Sequence, residues 1–135
     1  MAISQSLRNR AVVIEKFVTL SATAGTTVGV AVPAGTLVLA AGVEVLSAVP
    51  DVSVYTVDVT DGTTVFANDV SLDNVAAGTI RIGTTAGLVA AADTVDVVST
   101  ITGSPGAIPA RVFVVAIDVN DCVLPAAEVD RDTIN

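Results

Sequence analysis

Turn residues cut this chain so often that no stretch can hold a long helix. Ala24-Gly25, Pro33-Ala34-Gly35-Thr36, Pro50-Asp51, Asp61-Gly62 and Gly103-Ser104-Pro105-Gly106 all interrupt it, and Gly83 to Gly87 adds another break. Proline presets φ and glycine supplies the backbone angles that turns need. The pieces between are rich in Val and Thr, and several alternate apolar with polar, the period of a strand. Strands are expected over residues 11–20, 26–32, 37–49, 52–60, 63–66, 80–82, 94–102 and 111–119. Along 52–60, Val52, Val54, Thr56, Asp58 and Thr60 face one way, and Ser53, Tyr55, Val57 and Val59 the other. A bulge or bend is expected at Ala41-Gly42, and a short helical turn over residues 70–75.

Short strands with turn signals between them predict an all-β chain: a β-sandwich, jelly-roll-like, of about eight short antiparallel strands with extended N- and C-terminal segments. The expected organisation is an N-terminal arm over residues 1–10, a sandwich domain over 11–124 and an acidic tail over 125–135. In the first strand Val12, Ile14, Lys16 and Val18 share one face, and Val13, Glu15, Phe17 and Thr19 the other. Neither face is purely apolar, so this strand belongs at an edge or an interface.

Composition enters where the core is considered. The chain has 135 residues and is 52% hydrophobic, but only 3% aromatic: three Phe, one Tyr and no Trp. A core of Val, Ala and Leu must be thin and closely packed. So much apolar character on a small domain leaves some for other subunits to cover, which points to an obligate oligomer. The single cysteine, Cys122, cannot form an internal disulfide, and Asp118 and Asp121 flank it, so it reads as an inert thiol. Residues 17–43 carry no charge, but Pro33 and four glycines divide them into strand-length pieces, which argues against a membrane helix. The first ten residues lack the apolar run of a signal peptide.

The formal net charge is −8, which disfavours nucleic acid as a partner. Residues 1–16 hold Arg8, Arg10 and Lys16 against Glu15, a net of +2, whereas residues 118–135 carry a net of −4. The two ends are electrostatically complementary. Arg8, Arg10 and Lys16 are therefore the candidate charged residues for binding another subunit or a larger surface.

Catalytic chemistry finds little to work with. There is no histidine, which excludes Ser-His and Cys-His nucleophilic systems and histidine-bearing zinc sites. No phosphate-cradling glycine motif is present. Asp58 with Asp61, and Asp93 with Asp96, could in principle pair for acid–base work, but a glycosidase would also need an aromatic platform. Turn formation and solubility account for these aspartates. Asp118, Asn120 and Asp121 put three oxygen ligands close together, a weak calcium signal without the EF-hand pattern. No catalytic residue, metal or cofactor is expected.

The succession of segments resembles small β-sandwich structural proteins of tailed bacteriophages, particularly head decoration or cement proteins. The resemblance is carried by Val32-Pro33-Ala34-Gly35-Thr36-Leu37-Val38, the hairpin Val57-Asp58-Val59-Thr60-Asp61-Gly62-Thr63, Ala76-Ala77-Gly78-Thr79, Ala92-Asp93-Thr94-Val95-Asp96-Val97, and the closing strand from Arg111 to Asp118 and Val119. It implies a protein made in the host cytoplasm that binds the outside of an icosahedral head, often as a homotrimer, and reinforces contacts between major capsid proteins. Related layouts occur in tail and fibre proteins, so a receptor- or glycan-binding module is the alternative expectation.

Overall fold

The computed structural model describes residues 11–118, and these described residues form nine strands and no helix: β1 (Val12–Leu20), β2 (Gly25–Val32), β3 (Thr36–Val45), β4 (Val54–Thr60), β5 (Val65–Ser71), β6 (Ile80–Gly83), β7 (Gly87–Val89), β8 (Asp93–Thr102) and β9 (Ile108–Asp118). The larger sheet runs β1-β9-β3-β6, with β7 also on β3, and the smaller runs β2-β8-β4-β5. Every pairing is antiparallel. β6 and β7 pair successive parts of the same edge of β3, at Ala41–Glu44 and Thr36–Val38, so together they act as one interrupted strand. Counted that way there are eight strand positions, four per sheet. The chain alternates between the sheets, staying in one only for β4–β5 and for β6–β7, which is the winding of a jelly roll.

The period-2 pattern sets the core. Val38, Val43 and Val45 of β3, Tyr55, Val57 and Val59 of β4, Val95 and Val97 of β8, and Val112 and Val114 of β9 are all buried between the sheets. Tyr55, Phe66, Leu20 and Leu72 are the largest fully buried side chains. Few bulky groups fill this core, so the sheets must come close. At Gly83 a Cβ would lie 2.3 Å from the Phe66 carbonyl oxygen and 2.4 Å from Ala67 Cα. Only glycine lets β6 of one sheet cross β5 of the other there.

The Asp61-Gly62 hairpin forms as expected. Gly62 has φ +91°, and Asp61 Oδ1 accepts hydrogen bonds from the amides of Thr63 and Thr64 at 2.9 and 2.7 Å. Three local expectations are corrected. The segment 70–75 forms no helical turn: β5 continues to Ser71, Leu72 is buried, and its amide donates to the Tyr55 carbonyl. Burying Leu72 against β4 outweighs local helical preference. The third strand ends at Val45 rather than 49, and its irregularity falls between Val38 and Ala40, not at Ala41-Gly42. β7 is additional to the expected set.

Candidate functional site

The outer faces of the two sheets differ in kind. On the smaller sheet, the register brings Thr56, Asp58 and Thr60 of β4 beside Thr94, Asp96, Val98 and Thr100 of β8, with Thr26 of β2 and Ser71 of β5 at the sides. This surface is mostly hydroxyl and carboxylate. On the larger sheet, Val13, Glu15 and Phe17 of β1 stand opposite Val115, Phe113 and Arg111 of β9. Those in turn stand opposite Ala40, Gly42 and Glu44 of β3, and Gly42 and Glu44 face Ile82 and Ile80 of β6. Leu37, paired with both Ile117 and Leu88, extends the same face. Val13 is 59% exposed, Phe17 65%, Ile80 48%, Ile82 50% and Leu88 53%. Four strand positions about 4.8 Å apart and some nine residues long give a face of roughly 600 Å². That approaches the ~800 Å² per partner of a stable protein–protein interface.

The scarce aromatics sharpen the contrast. Tyr55 and Phe66 fill the core, but Phe17 and Phe113 lie on this outer face. Phe113 is only 7% exposed because its ring covers Gly42, where a Cβ would meet Phe113 Cζ at 2.8 Å. The bare backbone at Gly42 leaves room for the ring, which any side chain there would displace. Arg111 stacks on the same ring, its guanidinium carbon 5.0 Å from the centroid.

One charged cluster sits within the apolar face. Arg111 donates from Nε to Glu44 Oε1 at 3.1 Å and from Nη1 to Glu15 Oε2 at 2.5 Å. The hydrogen bond to Glu15, then the one to Glu44, holds the guanidinium pKa above its ordinary value, against a smaller opposing effect of burial. Two carboxylates thus share one cation.

Of the residues expected from sequence, Lys16 lies within β1, on the face it was expected to share with Ile14 and Val18. It is exposed and shares the core-facing side with the half-buried Ile14 and Val18. A charge placed inward on an edge strand blocks addition of another strand. β1 is the edge of the larger sheet, as its mixed faces predicted. Arg8, Arg10, Asn120, Asp121 and Cys122 lie outside the described residues. The candidate acid–base carboxylates instead hold backbone: Asp58 accepts from the Asp69 amide, Asp61 from its own turn, Asp93 from the Thr94 amide and Asp96 from the Gly29 amide. No group of three or more His, Cys, Asp or Glu among the described residues is placed to hold a metal. A depression of about 250 Å³ at one end, lined by Asp61, Thr63, Leu88, Val89, Ala90, Ala91 and Asp93, has no aromatic wall for a sugar ring.

Sequence reasoning placed β1 at an edge or an interface, of which the structure shows the edge, and it missed the rest of the face. β9 is nearly continuous in apolar residues, so its inner and outer sides are indistinguishable until the register with β1 and β3 is known.

No protein-family model matches the sequence, and no curated protein is detectably similar to it. Solved structures share the fold. One is a chain of the acid-stable capsid structure of Helicobacter pylori bacteriophage KHP30, 17% identical, with a TM-score of 0.54 over 81% of this chain and 96% of that one. Another is a chain of the cyanophage Pam1 capsid asymmetric unit, 14% identical, with a TM-score of 0.58 over 81% of this chain and 85% of that one. This jelly roll is thus a fold that chains of two phage capsids also adopt.

Proposed function

We propose that this protein is a virion structural protein that decorates the outside of a phage head. It docks on the major capsid protein through the outer face of the larger sheet, and leaves the polar face of the smaller sheet to solvent. The observation that carries the reading is the difference between the two outer faces, in a fold that two phage capsids also contain. A free domain gains nothing from holding Phe17 in water, and covering each such half-exposed side chain contributes roughly 1 kcal/mol. As a cement protein it acts by area: contacts that bridge neighbouring capsid subunits add avidity and resist pressure from packaged DNA. In this reading it assembles as a homotrimer, Arg8 and Arg10 of the arm supply charged contacts to the head, and Lys16, on the side of β1 away from the docking face, supplies one to a neighbouring subunit.

Co-sedimentation with heads assembled without this protein tests the proposal. The intact protein is expected to pellet with the heads, and Phe17→Asp to stay in solution while melting at the wild-type temperature. If Phe17→Asp binds as tightly as wild type, docking through this face is wrong. Deleting residues 1–10 tests the arm separately, with weaker binding expected.

A further inference from the structure

The charged cluster on the apolar face, which reaches from Glu15 on the edge strand β1 across Arg111 of β9 to Glu44 of β3, is not neutral. Glu15 and Glu44 carry two negative charges against the one positive charge of Arg111. Among the described residues the other cations are Lys16 and Arg81. Lys16 lies on the opposite side of β1, and Arg81 lies on the core-facing side of β6, where its Nε donates to the Ser71 carbonyl oxygen. Neither supplies the missing charge. Each glutamate gives Arg111 a single oxygen, but Glu44 is mostly covered and Glu15 is 46% exposed, so the Glu15 carboxylate is the one more open to a partner.

We infer that the surface covering this face is apolar and carries a Lys or Arg side chain that reaches Glu15. The inference rests on the docking reading and specifies its partner. Drying an apolar face that holds a surplus carboxylate is unfavourable unless a cation comes with the covering surface. A second copy of this face does not provide one. An isologous contact sets the same patch against itself, so two clusters, each with one negative charge in excess, would meet in one dry layer. The matching occupant is a different surface, with a cation where this face has a carboxylate and apolar groups opposite Val13, Phe17, Ile80 and Ile82.

The experiment is head binding measured over a range of salt concentrations for wild type, Glu15→Gln and Phe17→Asp. Glutamine keeps an oxygen for Arg111 and removes only the charge. Glu15→Gln is expected to bind about tenfold more weakly, the equivalent of ~1.4 kcal/mol, and to show a shallower salt dependence, while its melting temperature stays unchanged. Wild-type affinity and salt slope for Glu15→Gln, with binding lost for Phe17→Asp, overturn the inference and leave the docking reading standing. Wild-type binding by Phe17→Asp removes the docking reading itself. The same Glu15→Gln comparison in a chain lacking residues 1–10 is expected to give the same tenfold effect. If the effect vanishes there, the cation belongs to this chain's own arm, and the inference fails. Light scattering without heads closes the remaining route: Phe17→Asp is expected to keep the wild-type oligomeric mass, and a drop in mass would assign the face to a second copy.

Discussion

Tyr55 is fully buried, and its hydroxyl has no hydrogen-bond partner among the described residues. An unsatisfied buried hydroxyl costs about 1–3 kcal/mol, so removing it relieves more than it loses. Tyr55→Phe is expected to melt at or above the wild-type temperature, by up to ~1 kcal/mol in urea unfolding. Burial also raises the Tyr55 pKa above its ordinary 10.0. The folded state then holds the phenol proton where the unfolded chain releases it, so this contribution to stability is intact below pH 10 and declines as pH rises beyond it. Tyr55→Phe is expected to blunt the alkaline loss of stability, and a urea series across that pH range measures it. Asp61 and Asp93 accept from amides next to them in the chain, as turn chemistry predicts, whereas Asp58 and Asp96 hold the backbone of neighbouring strands. Asp61 was readable because Asp-Gly-Thr-Thr is a turn in itself. Asp96 was not, because its partner, the Gly29 amide, lies in an irregularity of β2 that no local pattern marks.

At the scale of elements, the crossing of β5 and β6 at Gly83 joins one edge of the sandwich. Adding a methyl there drives it into the Phe66 carbonyl and Ala67, and overpacking of this kind costs about 1–3 kcal/mol. Gly83→Ala is expected to fall in that range by thermal or urea unfolding, and to open β6 first, seen as faster amide exchange at Arg81 and Ile82. The strands that were legible in the sequence are those whose own alternation or bounding turns define them: β1, β2, β3, β4, β6, β8 and β9, with β3 ending short of its expected limit. β7 is three residues, Gly87–Val89, held by pairing with β3, and too short to carry a period. β5 passes through Asn68 and Asp69, the latter at φ +48°, residues that locally signal a loop. Gly42 invited a bulge in the reading of the sequence, yet pairs regularly with Phe113 and Ile82, because what it accommodates is a ring from the neighbouring strand. The candidate face shares this limit. It is assembled from β1, β9, β3, β6 and β7, which meet only through long-range register, so only its β1 portion could be read from the chain.

Over the whole molecule, the mass in solution is expected to be about three times that of the chain, measured by light scattering at working concentration. A monomer would remove the trimer from the proposal without touching the docking face. Charge is also distributed at this scale: the described residues include ten carboxylates and three cations, and many of the carboxylates stand on the smaller sheet or in its turns. If the apolar face is laid against a head, each copy turns Asp58, Asp96 and a field of threonine hydroxyls outward. The particle then acquires a new skin, hydrated and anionic, in place of whatever the shell presented before. Decorated heads should migrate farther toward the anode than bare heads in native agarose. They should also stay dispersed at concentrations where bare shells clump, a colloidal benefit separate from any mechanical one.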